Sequence, residues 1–188
     1  MLNIYYVNSK MKIPYKKIVI KNSKSRKIII NKIDNLLKNG PIIMGPEVEK
    51  MERKLAKYLN VKYALLTGSG TDSILLALLA IGIKSGDEVI TTPLSWITSA
   101  TPITLLGAKP VFVDIKNDLN IDEKKIEIKI NKNTKAILPV HFTGNPCSIN
   151  VIKKIAKKFK LKLIEDCAQA FGTKLLNNYC GTFGDIGC

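Results

Sequence analysis

From Val61 to Glu165 the sequence alternates between short runs rich in β-branched residues and longer apolar stretches at helical spacing. No other feature constrains the fold as tightly. Strands are predicted at Tyr63–Leu66, Glu88–Thr91, Pro110–Asp114, Ala136–Val140 and Leu161–Glu165. Helices are predicted at Ser73–Ile83, Ile97–Leu106, Asp122–Ile130 and Ile149–Phe159, with turns at Gly86-Asp87 and Gly107–Pro110. Such alternation argues for an α/β fold, a mostly parallel sheet with helices on both faces. After Ala170 the pattern changes, and Gly172 to Thr182 reads as a hairpin turning at Asn177-Asn178.

Upstream of Val61 the chain is helical. Ile29, Ile33, Leu36 and Leu37 recur at helical spacing until Asn39-Gly40-Pro41. Gly45-Pro46-Glu47 opens a second helix, because proline suits a first turn and Glu47 and Glu49 suit its positive end. Residues 1–27 are read as a separate basic segment, with a weak strand-like piece at Ile18-Val19-Ile20 and an alternative start at Met11. Residues 28–188 are read as one large domain.

The stretch Leu65–Ser73 joins a strand to a helix through Gly68 and Gly70. A helix start presents unpaired N–H groups to an anion, and its dipole favours negative charge by about 0.3–2 kcal/mol. Thr71 adds a hydroxyl, so a phosphate is a sensible guest. An ordinary turn with a hydroxyl cap accounts for the same residues.

The net charge of +15 invites a nucleic-acid reading, but it is almost all lysine, with Arg26 and Arg53 the only arginines. Lysines spread along helices and turns argue against nucleic acid as a partner. Cys147, Cys167, Cys180 and Cys188 form no Cys-x-x-Cys pair and His141 is the only histidine, which argues against a metal site or a disulfide framework. No run approaches the length of a membrane span, and no signal-peptide core opens the chain, so a cytoplasmic location is expected.

In open parallel sheets, ligands sit beyond the carboxyl ends of the strands. The residues there are Ser69-Gly70-Thr71, Pro93–Trp96, His141–Gly144 and Asp166–Gln169. A phosphate cradle, an aromatic ring, an imidazole, a carboxylate and an amide are thus gathered at one edge. Gly68 and Gly70 lack a third glycine at Ser73, which argues against a dinucleotide site.

This set resembles the DegT/DnrJ/StrS-type sugar aminotransferases, which depend on pyridoxal phosphate and share the aspartate-aminotransferase-like fold. The matching segments are Gly45-Pro46-Glu47, Ser69–Asp72, Gly86–Ile90, Leu106–Asp114, Pro139–His141 with Gly144–Pro146, Ile164–Ala170 and Gly181–Cys188. The resemblance implies a transferase large domain, incomplete at its C-terminus, that binds pyridoxal 5'-phosphate. It implies a nucleotide-linked keto-sugar and an amino-acid donor as substrates, amino-sugar or surface-polysaccharide biosynthesis as the setting, and a homodimer at full length. It also assigns roles. Gly70 and Thr71 would hold the cofactor phosphate, and Trp96 would stack on the pyridine face. Asp166 would hydrogen-bond the pyridine nitrogen and keep it protonated, so that the ring withdraws electrons from the reacting carbon. Gln169 would contact the phenolic oxygen. His141 falls at the site edge, with structural and functional roles both open.

In this family an active-site lysine follows shortly after the segment that stands here as Gly184–Cys188. Lys162 and Lys174 are no substitutes by position. No catalytic residue is therefore assigned, and the chain reads as about the first half of a family member, inactive alone. Some relatives carry histidine at that position and dehydrate sugars instead. The competing reading is a non-catalytic half-length protein that binds a phosphorylated ligand, a partner or nucleic acid, supported only by the charge.

Overall fold

The computed structural model describes residues 19–41 and 43–188. The alternative start at Met11 and Ile18 of the strand-like piece lie outside them, while Val19 and Ile20 are described and form no strand. The described residues up to Glu49 form one compact unit, and Lys50–Cys188 form a second.

In the first unit, helix α1 (Ser23–Asn39) begins where the Asn22 carboxamide oxygen accepts the Ser25 N–H, at 3.0 Å. It ends at Gly40, whose N–H returns to the Leu36 carbonyl. Helix α2 (Pro46–Leu59) starts on the expected proline, with Glu47 and Glu49 in its first turn, and runs on into the second unit.

The second unit holds α3 (Gly70–Ala80), β1 (Glu88–Thr91), α4 (Thr101–Leu105), β2 (Lys109–Phe112), β3 (Thr134–Ile137), α5 (Ile149–Phe159) and β4 (Lys162–Glu165). A two-residue hairpin, β5 (Lys174–Leu175) and β6 (Asn178–Tyr179), precedes β7 (Ile186–Gly187). Five strands make one parallel sheet in the order β2-β1-β3-β4-β7. Alternation along the strands divides the core in two. Ile90, Ile137 and Leu163 pack with α5 through Ile149, Ile152, Ile155 and Ala156. Val89, Ala136, Leu138 and Ile164 pack with α3 and α4 through Ile74, Ala77, Leu78 and Ile103. Helices therefore cover both faces, as the alternation predicts.

Three expected elements differ. Tyr63–Leu66 is not a strand: no neighbour pairs with it among the described residues, and Tyr63 and Leu65 are 71% and 80% exposed. An apolar run becomes a strand only beside another strand. Here the Leu66 N–H is held instead by the Glu52 carboxylate, at 2.9 Å. The fifth strand is β7, which pairs with β4. The predicted helix Ile97–Leu106 breaks into a 3-10 turn at Ile97–Ser99 and then α4, because Pro102 cannot donate the N–H a continuous helix requires. Asp122–Ile130 becomes two 3-10 turns, Glu123–Lys125 and Glu127–Lys129, pinned by the fully buried Ile126 between them. Among the described residues no helix is long and apolar enough to cross a membrane.

Candidate cofactor site

The carboxyl edge of the sheet is built from the loop after β1, the turn after β3 and the residues after β4, and α3 contacts the 97–99 turn there. Ser69 caps α3: its hydroxyl accepts the Asp72 N–H at 3.1 Å and donates to the Asp72 carboxylate at 2.9 Å. That consumes the amide of Asp72, and the amide of Ser73 bonds the Ser69 carbonyl. The amides of Gly70 and Thr71 and the Thr71 hydroxyl have no partner among the described residues. A Cβ built on Gly70 would meet nothing within 4 Å, so the helix start is uncrowded at this residue. This is the donor set that a phosphate needs.

Asp166 follows β4 and is buried. Its Oδ2 accepts the Ser99 hydroxyl at 2.7 Å and its Oδ1 accepts the Ala168 N–H at 3.1 Å. An ionised carboxylate offers about four acceptor positions, so capacity remains for a further donor such as a pyridinium N–H. The Asp166 backbone is fixed in turn, donating to the Pro139 carbonyl and accepting from the His141 N–H, both at 3.0 Å. Trp96 opens the 97–99 turn and is 73% exposed. A cavity of about 240 Å³ lies beside it, lined by Thr92, Ser95, Trp96, Ser99 and Phe112 among others. Gln169 sits across from Thr143, whose N–H donates to the Gln169 Oε1 at 2.7 Å. Gly144, at φ 82°, allows this approach, since a Cβ there would lie 3.2 Å from the Gln169 carbonyl oxygen. The free donors at Gly70 and Thr71 and the remaining acceptor capacity of Asp166 fit pyridoxal phosphate by their chemistry.

His141, next to Asp166 at this edge, is fully buried. Its Nδ1 accepts the Cys147 N–H at 3.1 Å, so Nε2 carries the proton and donates to the Glu165 Oε2 at 2.9 Å. The Gly181 N–H shares that oxygen at 3.0 Å, and the Phe183 and Gly184 N–H groups reach Oε1 at 2.7 Å each. Burial pushes the Glu165 carboxyl up, but the bonds from His141, Gly184 and Gly181 outweigh it and hold it below its ordinary value. Glu165 and Asp166 are consecutive, so they face opposite sides of the sheet. His141, Glu165 and Cys167 have ligand atoms within 4.8 Å of one another. They make a poor metal site, because both carboxylate oxygens already take two donors and both imidazole nitrogens are committed. Burial also pushes the Cys167 thiol up, away from the thiolate a metal needs.

Sequence reasoning missed Ser99 and Glu165. The signal for Glu165 was present: it shares a strand face with Leu163, a core position, and an acid there needs partners. Ser99 carried no signal, because its contact with Asp166 spans two distant elements. Lys162 starts β4 and pairs with Asp185 at 3.0 Å, and Lys174 lies in β5, so neither stands at this edge.

The family model described as the DegT/DnrJ/EryC1/StrS aminotransferase family matches residues 23–188. GDP-perosamine synthase of Escherichia coli O157:H7 is 46% identical over 143 residues, covering 76% of this chain and 39% of that protein. The crystal structure of NtdA from Bacillus subtilis, with bound cofactor PMP, superposes with a TM-score of 0.80 at 37% identity, over 85% of this chain and 37% of that one. A variant of GDP-4-keto-6-deoxymannose-3-dehydratase with bound GDP-perosamine superposes with a TM-score of 0.79 at 33% identity, over 86% of this chain and 44% of that one. The chain thus spans about two fifths of the length of the curated relatives it matches. With its parallel sheet, its matched segments and neighbours that carry the cofactor, the chain belongs to the DegT/DnrJ/EryC1/StrS family of pyridoxal-phosphate-dependent aminotransferases.

Proposed function

We propose that these residues form the N-terminal part, with 28–188 as its large domain, of an enzyme that transfers an amino group from an amino acid such as glutamate to a nucleotide-linked keto-sugar. The observation that carries this reading is the edge itself. The anchored carboxylate of Asp166 lies at the carboxyl end of β4, bonded to Ser99 of a turn that α3 contacts, and α3 opens on the free amides of Gly70 and Thr71, in a chain 46% identical to a GDP-perosamine synthase over 143 residues.

Pyridoxal phosphate, when bound, supplies an electron-poor ring that stabilises negative charge on the carbon losing its proton. The chain's own residues place and tune that ring. Gly70 and Thr71 bind its phosphate through N–H and O–H donors. Trp96 covers one face and excludes water from it. Asp166 holds the proton on the ring nitrogen, and Gln169 orients the phenolic oxygen. The proton transfer at the reacting carbon belongs to a residue outside this set. The setting we infer is cytoplasmic amino-sugar synthesis for surface polysaccharide, by a homodimer.

Similarity to the GDP-4-keto-6-deoxymannose-3-dehydratase structure supports a second reading, sugar dehydration on the same scaffold. The coding DNA beyond Cys188 separates the two readings. A lysine shortly after Gly184–Cys188 favours amination, and a histidine favours dehydration. The enzyme encoded by that frame, given glutamate, pyridoxal phosphate and a GDP-linked 4-keto-6-deoxy sugar, should yield an amino sugar detectable by mass spectrometry. A keto-sugar recovered unchanged from a panel of nucleotide-linked keto-sugars would refute the proposal.

A further inference from the structure

Resting on the assignment of Asp166 to the ring nitrogen, we infer that Ser99, backed by Ser95, is the positioning residue that aims the Asp166 carboxylate at the cofactor. Ser99 is 2% exposed and lies in the 3-10 turn that follows Trp96. Its Oγ stands 2.7 Å from the Asp166 Oδ2 and 2.7 Å from the Ser95 Oγ. A serine has one proton to give, and an ionised carboxylate can only accept. Ser99 therefore donates to Asp166, and Ser95 donates to Ser99. The bonds run in one direction, from the loop that carries Trp96 to the carboxylate, and each polarises the next.

The second Asp166 oxygen is held by the Ala168 N–H. Two donors from different elements thus fix the plane of the carboxylate and leave its remaining lone pairs for one ligand atom. Because the Ser95–Ser99 segment flanks Trp96, the same turn sets the ring-stacking group and the ring-nitrogen acceptor. The break of the predicted 97–106 helix ahead of Pro102 is what leaves Ser99 in a 3-10 turn packed against β4's end rather than in a regular helix.

Trp96 is the only tryptophan, so quenching of its emission reports cofactor binding without any turnover. The test compares pyridoxal phosphate with 1-deazapyridoxal phosphate, which has carbon in place of the ring nitrogen, on the wild type, S99A and S99T. We expect the wild type to prefer the nitrogen-bearing cofactor. S99A should weaken pyridoxal phosphate about fivefold and leave the deaza analogue unchanged. S99T, which keeps the hydroxyl, should restore the preference. Equal weakening of both ligands by S99A would overturn the inference and make Ser99 a packing residue. A wild type that does not distinguish the two ligands would instead remove the Asp166 assignment on which the inference rests.

Discussion

His141 and Glu165 share one proton across 2.9 Å, with the imidazole Nε2 donating to a carboxylate that no solvent reaches. The pair ties the end of β3 to the end of β4. Through Gly181, Phe183 and Gly184 it also ties β4 to the loop that leads into β7. Each Glu165 oxygen takes two donors, so an amide nitrogen cannot replace either without facing N–H groups. The histidine cannot adapt by changing tautomer, because its Nδ1 faces the Cys147 N–H. Glu165→Gln should therefore destabilise the second unit by about 3–5 kcal/mol, read as a lower urea midpoint. A loss below about 1 kcal/mol would contradict the four-bond clamp.

The same carboxylate predicts an acid sensitivity. Glu165 is held below its ordinary value of 4.5, and Asp185 below 3.8. For Asp185 burial again opposes the shift, while the Leu163 N–H and then Lys162 produce it. A depressed carboxylate stabilises the fold fully above its unfolded value and loses that contribution as pH falls through the folded value. Stability should be level near neutrality and decline as pH drops below about 4.5. Urea unfolding at several pH values checks this, and Asp185→Asn should make the decline shallower.

Gly70 separates stability from binding. A Cβ there would meet no neighbour, and the position opens a helix, so Gly70→Ala should keep or raise stability by up to about 1 kcal/mol. On the proposed phosphate site, a methyl added beside the free amides should weaken pyridoxal phosphate binding in the same variant. A stable variant with unaltered affinity would move the phosphate elsewhere.

Trp96 should behave in a related way. Its ring is mostly exposed, so Trp96→Phe and Trp96→Ala should leave the unfolding midpoint within about 0.5 kcal/mol. Loss of stacking in Trp96→Ala should reduce cofactor affinity about two- to tenfold, with Trp96→Phe recovering part of it. Absorbance titration of the cofactor measures both. Unchanged affinity in the alanine variant would show that the ring is not a stacking surface.

Most of the sheet was legible because its strands carry their own evidence of burial: Val89, Ile90, Ala136, Ile137, Leu163 and Ile164 are apolar on both faces, as a parallel strand between two helical layers requires. Helix α5 was legible to the residue because Ile149, Ile152, Ile155 and Ala156 recur on one side. Tyr63–Leu66 misled because its composition suits a strand, while strand formation depends on a neighbour. Asp166, Trp96 and Gln169 were singled out by their place after strand ends, whereas Gly70 and Thr71 follow a segment that is no strand, and the roles of all five rested on the resemblance to the family. Ser99 could not be found this way, since its contact with Asp166 joins two distant elements, and for Glu165 the sequence showed an acid on a core strand face but not the partners that hold it.

A crystal structure of the protein with pyridoxal phosphate tests the central claim most directly. The account predicts the phosphate on the N–H groups of Gly70 and Thr71, and the ring nitrogen within about 2.7–3.1 Å of an Asp166 carboxylate oxygen. At the amino ends of the strands, Lys132, Lys135 and Lys160 border a cavity of about 500 Å³. Cofactor bound there, or a ring nitrogen turned away from Asp166, would contradict the account.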